Sequence, residues 1–275
     1  MSPLRCLYLD LDSTLLGRGA SLLHDGEGNV SLLGVRALEA CLRAGVEVVL
    51  MSGRRRAQVA EGARLIGQRS FIYEAGSVLV LDGEEVWLTG ELQPGERNVH
   101  EQITDSAAPA LLLERYAGRL EYHDPWDRDR AVSHLFRGLV DAVEADEVLR
   151  EAGMGHLRLV DNGVVRTRSP ALADLEQVRG YHLIPAAASK AGAVARHLRA
   201  RGYAREEAIA IGDSREDLGT AALVDRFWLV ANGLEHDPTM AEAIARVANV
   251  RVTEQGYGAG VYEAVVTTLA ERGGR

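Results

Sequence analysis

The run at 4–9 is almost wholly apolar, and Asp10 and Asp12 close it. Such a run predicts a strand buried on both faces. Apolar positions then recur at helical spacing through Leu32, Val35, Leu38 and Leu42, and Gly45 follows as a C-terminal stop. A second apolar run at 46–51, a helix over 54–66 and a third strand at 70–73 complete the opening pattern. Strand, helix, strand, helix, strand predicts a parallel sheet with crossover helices. Apolar residues alternate around Asp82-Gly83 over 78–88, which predicts a hairpin.

The pattern then becomes mixed. A helix is predicted at 109–116, strands at 119–122 and 131–136, a helix at 141–151, and a hairpin over 157–167 turning at Asn162-Gly163. The first pattern returns at Ser189, a candidate cap for a helix over 190–201. Strands at 208–211 and 227–230 flank a helix at 215–223, and a last helix covers 260–271. The predicted fold is α/β: a doubly wound parallel-sheet core, residues 1–83 and 188–275, split by an inserted α+β cap domain, residues 84–187.

Hydrophobic residues make up 47% and charged residues 26% of the 275, an ordinary globular profile. The net charge of −9 argues against non-specific nucleic-acid binding, which needs a broad basic field. Cys6 and Cys41 lie in apolar stretches without zinc-ligand spacing and read as buried thiols. No apolar run reaches about 18 residues, so no membrane span is expected. The acidic pair interrupts the only early apolar run, so a secretory signal is not expected either, and a cytoplasmic protein is the default. Nothing in the chain speaks to oligomeric state.

Four short segments carry candidate chemistry. Asp10-Leu11-Asp12-Ser13-Thr14-Leu15 puts two carboxylates two residues apart after a strand. If the strand continues they share a face. Two ionised carboxylates buried without compensation are costly, so the pair belongs at the strand's carboxyl end, where a cation could offset it. A polar strand end leading into a helix cap is the plainer alternative. Met51-Ser52-Gly53-Arg54 offers a hydroxyl and a small residue before a helix, suited to an anion or simply to capping. Lys190 sits in the first turn of a helix, against the macrodipole, as a surface lysine or as one facing negative charge. Gly212-Asp213-Ser214-Arg215-Glu216-Asp217 sets two aspartates one helical turn apart after another strand, as hard-cation ligands or as an acidic helix start.

In this order, each after a strand or at a helix start, the four segments resemble the motifs of the haloacid dehalogenase superfamily of phosphohydrolases: Asp-x-Asp-x-Thr, a Ser or Thr, a Lys, and Gly-Asp-x-x-x-Asp. The long stretch between Ser52 and Lys190 has room for an inserted domain, as in the type-II cap subclass that includes mannosyl-3-phosphoglycerate phosphatase, sucrose-phosphate phosphatase and the Cof-like phosphatases. Gly256-Tyr257-Gly258-Ala259-Gly260-Val261 is similar to the first of these. Three positions depart from the common pattern: Ser13 for Gly, Glu216 for Asn, and Glu74-Ala75-Gly76 for Glu-Asn-Gly.

The resemblance implies Mg²⁺-dependent hydrolysis of a small phosphorylated substrate, a sugar phosphate or sugar-phosphoglycerate. Asp10 would be the nucleophile and Asp12 the general acid and base. Ser52, Gly53 and Lys190 would hold the phosphoryl group. The metal would be held by Asp10, Asp12 through its backbone carbonyl, Asp213 and Asp217. Cap candidates for the substrate are His123, Arg128, Arg130, His134, Arg166, Arg168 and His182, with Trp126 a possible ring-stacking partner; each also reads as a surface charge or a packed side chain. A phosphomutase is the nearest rival. A non-catalytic sensor would lack Asp10, Asp12 or Lys190, and a nicotinamide-binding enzyme would need Gly-x-Gly-x-x-Gly after the first strand.

Overall fold

A computed structural model describes residues 2–165 and 169–273. The chain begins with β1 (Cys6–Asp10), α1 (Leu33–Arg43), β2 (Glu47–Met51), α2 (Arg56–Leu65), β3 (Phe71–Tyr73), β4 (Val78–Leu81) and β5 (Glu84–Trp87). The middle holds α3 (Val99–Asp105), α4 (Ala108–Arg115), β6 (Leu120–Tyr122), β7 (His134–Gly138), α5 (Ala142–Glu151), β8 (Leu157–Val164) and β9 (Arg179–Pro185). Then come α6 (Lys190–Arg201), β10 (Ala208–Gly212), α7 (Arg215–Leu218), β11 (Arg226–Leu229), α8 (Asn232–His236), α9 (Met240–Ile244), β12 (Val250–Val252) and α10 (Tyr257–Gly273).

An eight-stranded sheet runs β12-β11-β10-β1-β2-β3-β4-β5. Its pairs from β12 to β3 are parallel, and β4 and β5 add on antiparallel. The central strands are buried on both faces, which is why they read as unbroken apolar runs. Leu7, Leu9, Val48, Leu50, Ile209 and Ile211 pack on the face that includes Val261 and Val265 of α10. Cys6, Tyr8, Val49, Met51, Ala208 and Ala210 pack on the other face, with Ala193, Val194 and Leu198 of α6. Asp10 has the parity of Cys6 and Tyr8, so it ends β1 on the side that α6 covers.

The hairpin at Asp82-Gly83 forms as expected, with both residues at positive φ, but its second strand β5 belongs to the large sheet. Residues 84–87 therefore extend the core sheet beyond the expected boundary at 83. A second, antiparallel sheet, β6-β7-β9-β8, takes its strands from the middle of the chain. Asn162-Gly163 does not turn a hairpin; β8 runs on through it, with the register to β9 shifting between Asp161 and Val164. The Gly163 amide donates to Asp161 Oδ1 at 2.8 Å, so the dipeptide forms a local bulge. Strand β7 starts at His134, not 131, because the amides of Ala131, Val132 and Ser133 donate to Glu74. The helix expected over 215–223 stops at Leu218, followed by a 3-10 turn at Ala221–Leu223. Between them the Thr220 hydroxyl donates to the Asp217 carbonyl at 2.6 Å.

In β9, Tyr181 and Leu183 join Phe136 and Leu149 in the core beneath the cap helices. Ile184 packs with Ala75 and Ala188 on the face turned to the large sheet. His182 shares that second parity. No helix among the described residues is long and apolar enough to cross a membrane.

Candidate active site

The first, third and fourth segments converge at the carboxyl ends of β1 and β10, the edge where open α/β sheets bind ligands. Lys190 is 1% exposed, and its Nζ donates to Asp10 Oδ1 and Asp217 Oδ1, each at 2.6 Å. Carboxylate oxygens of Asp10, Asp213 and Asp217 all lie within 4.8 Å of one another. Burial alone would lower the Lys190 ammonium, but Asp10 and Asp217 outweigh it and hold it above its ordinary value. Burial pushes the Asp10 carboxyl up; Lys190 opposes this, and Asp217 and Asp213 add to it. Burial also raises Asp213, with His236 opposing at 3.6 Å and Asp217 adding. Three carboxylates against one buried ammonium leave negative charge over.

That surplus fits a hard divalent cation. Asp217 is the least available ligand: Lys190 holds Oδ1, and Ser214 donates to Oδ2 from its amide at 3.1 Å and its hydroxyl at 2.6 Å. A Cβ on Gly212 would come within 2.3 Å of the Asp217 Cβ, so only glycine lets this aspartate fold back under the strand. Asp213 accepts from Thr14 Oγ1 at 3.2 Å. Asp10 and Asp213 are therefore the side chains best placed to hold a metal.

Strand β1 ends at Asp10, so strand alternation alone does not set the direction of Asp12. Asp12 makes a two-pronged pair with Arg54, Nε to Oδ2 at 2.8 Å and Nη2 to Oδ1 at 2.6 Å. Arg54 was not expected as a site residue; its position one past Ser52-Gly53 read only as a helix start. Ser52 is buried and follows Met51, the residue paired with Asp10. Its Oγ accepts from the Arg54 amide at 3.2 Å, and α2 begins only at Arg56, so Ser52 does not cap that helix.

A cavity of about 500 Å³ opens over this cluster, between the two sheets. Asp12, Gly53, Arg54 and Asp213 line it from below; His123, Trp126, Arg130, Asn162 and His182 line it from the cap. Two expected cap residues are not placed there. His134 is buried within the cap, its Nδ1 3.0 Å from the Tyr122 hydroxyl and its ring stacked on His100. Arg128 is exposed and pairs with Asp124. Arg166 and Arg168 lie outside the described residues. Arg130 is buried, and its Nη1 donates to the Gly53 carbonyl at 3.0 Å and Ser133 Oγ at 2.9 Å. Glu216, which replaces the common Asn, accepts from Arg158 Nη2 at 3.1 Å and the Lys190 amide at 3.2 Å, so it joins β8 to the start of α6.

No family model matches the chain. It is 25% identical to a phosphoglycolate phosphatase of Methanoculleus marisnigri over 273 residues, 95% of each protein. Among solved structures, the sucrose-phosphatase of Synechocystis sp. PCC6803, in complex with sucrose and phosphate, superposes with a TM-score of 0.62 at 14% identity, covering 97% of this chain and 98% of that one. A haloacid dehalogenase-like hydrolase of Bacteroides thetaiotaomicron gives 0.61 at 17% identity, covering 96% and 99%. The structure thus has the haloacid dehalogenase-like fold, an α/β core carrying a cap, as the four motifs implied.

Proposed function

We propose that the protein is a phosphatase, hydrolysing a small phosphomonoester through an aspartyl-phosphate on Asp10. The observation that carries this reading is the buried cluster of Asp10, Asp213, Asp217 and Lys190 beside a capped cavity. The matched phosphatase supports it.

The Asp10 carboxylate attacks phosphorus in line, and the ester oxygen leaves. Asp12, at the cavity wall, takes up a proton from solvent as it leaves Arg54 and gives it to that oxygen. It then removes one from the water that attacks the aspartyl-phosphate, which frees phosphate and restores Asp10. Arg54 holds Asp12 in orientation until substrate arrives, and Asp12 exchanges the Arg54 contact for the leaving oxygen. Lys190 and Ser52 hold the phosphoryl oxygens, with Gly53 letting the backbone come close. Mg²⁺, held by Asp10 and Asp213 with Asp217 behind them, would offset the charge that these carboxylates and a phosphate concentrate in one place. The cap residues around the cavity choose the leaving group.

Phosphate release from a panel of phosphomonoesters with Mg²⁺ present tests the reading. Asp10→Asn should lower turnover by at least ~10³-fold, since the nucleophile is lost. Near-normal turnover in that variant removes Asp10 from the role, and no turnover of any monoester removes the phosphatase reading. An isomerised sugar phosphate in place of free phosphate would identify a mutase.

A further inference from the structure

Asn232 is 3% exposed and opens α8, and its side chain bridges two distant segments. Nδ2 donates to the Ser13 carbonyl at 2.7 Å, and Oδ1 accepts from the Tyr257 amide at 2.8 Å. These partners fix which way the amide group points, because a carbonyl only accepts and a backbone N–H only donates. Ser13 and Tyr257 share a second property. Neither is glycine, yet their φ values are +60° and +52°. Residues in that region are unfavourable and persist only where their surroundings over-determine them. One buried asparagine thus fastens two strained backbone positions, one beside Asp12 and one in the cavity wall.

The space around Asn232 is shaped to it. A Cβ on Gly256 would stand 2.8 Å from Asn232 Oδ1 and 3.4 Å from Asn232 Cβ, so glycine leaves room for the side chain. A Cβ on Gly233 would stand 2.8 Å from the Asp213 carbonyl oxygen, so the start of α8 lies directly on the backbone of the fourth segment. Asn232 therefore ties the turn at Asp12-Ser13 to the part of the core that carries Asp213. Within that turn the Thr14 and Leu16 amides return to the Leu11 carbonyl, at 3.3 Å and 2.9 Å. Those bonds close the turn on itself; the Asn232 bond anchors it to another element. Arg54 grips the Asp12 carboxylate only until that carboxylate turns to the leaving oxygen. The Asn232 bond is made to backbone and stays in place through the exchange.

We propose that Asn232 is a positioning residue for the general acid and base. By holding the Ser13 carbonyl it keeps the turn that carries Asp12, and with it the reach of the Asp12 carboxylate to the leaving oxygen. The inference rests on the phosphatase reading for its chemistry and on the hydrogen bonds alone for the placement.

Two substrates that differ in their need for a proton separate positioning from general support. 2-Hydroxyethyl phosphate departs as an alkoxide unless it is protonated, whereas 4-nitrophenyl phosphate departs as a stable phenolate. For both, kcat/KM includes departure of the leaving group. Asn232→Asp is isosteric, keeps an acceptor for the Tyr257 amide and, ionised, has no hydrogen for Ser13. It should lower kcat/KM for 2-hydroxyethyl phosphate at least ~10-fold further than for 4-nitrophenyl phosphate. Gly256→Ala, which crowds Asn232 without cutting its bonds, should move the same ratio in the same direction by a smaller factor, and it serves if Asn232→Asp does not fold. Asn249→Leu is the control. It cuts bonds from Nδ2 to the carbonyls of Ala221, Val224 and Asp225, none of which lines the cavity, and it should leave the ratio unmoved. Equal falls for both substrates, or no fall, overturn the inference and leave the phosphatase reading standing. The Arg54 Nε hydrogen, assigned with Arg54→Lys, reports on Asp12 without substrate. Its NMR signal should lie downfield in the wild type and move upfield in Asn232→Asp and Gly256→Ala. Where the wild type does not turn over both compounds, that signal decides: the shift upholds the inference and an unmoved signal overturns it, while the monoester panel decides the phosphatase reading on its own.

Discussion

His134 and His182 sit on neighbouring strands with opposite surroundings, and parity decides which one meets the cavity. In the β7–β9 register His134 pairs with Leu183, whereas His182 pairs with Leu135. Cross-strand partners share a face, so His134 goes with Leu183 to the helix side and His182 goes with Leu135 to the cavity. The chain text names both histidines but not β9, whose apolar residues are interrupted by His182, so the parity could not be read there. Burial, with His100 adding, holds His134 at about 4, against 6.5 when exposed. Its folded pKa is depressed, so the unfolded chain binds the extra proton between those values. Stability should therefore fall as pH drops from about 6.5 towards 4. Urea titrations should show a shallower fall in His134→Gln; a slope equal to wild type would mean that His134 is not the group taking up the proton.

At the scale of elements, the turn after β3 does more than the sequence suggests. Glu74, Ala75 and Gly76 have φ of +46°, +57° and +89°, a left-handed run that is unfavourable for the two non-glycine residues. What opposes that strain is Glu74, which fastens the start of β7 through three amides and a hydroxyl. Glu74→Gln replaces one accepting oxygen with an amide that faces donors. The cost should be about 2–4 kcal/mol in urea denaturation. A change under about 0.5 kcal/mol would show that the turn is held by packing alone. The clustering of Asp10, Lys190, Asp213 and Asp217 was legible because each ends or follows a strand or lies in the first turn of a helix whose apolar pattern is plain. Glu74 and Arg54 were passed over because their partners are distant in sequence, at 131–133 and Asp12.

Over the whole molecule, an acidic chain gathers three of its carboxylates at one sheet edge and buries a single lysine among them. The arrangement should respond to Mg²⁺ as a folded-state ligand. Saturating Mg²⁺ at ~100 times its Kd would add about 2.7 kcal/mol to stability. Asp213→Asn removes one of the like charges. It should raise the stability of the metal-free protein by roughly 1–2 kcal/mol while nearly abolishing the Mg²⁺ response. Thermal melts of both proteins with Mg²⁺ and with a chelator check this. An Asp213→Asn protein that is less stable without metal would show that the Thr14 bond outweighs the repulsion.

The Glu74 attachment also bears on traffic through the cavity. A cap that swung away from the core as a jaw would have to strip a buried carboxylate of all four donors at every turnover. Substrate and product are better exchanged through a standing doorway, so the width of that doorway, and not the rate of a hinge, would limit how bulky a leaving group the protein admits.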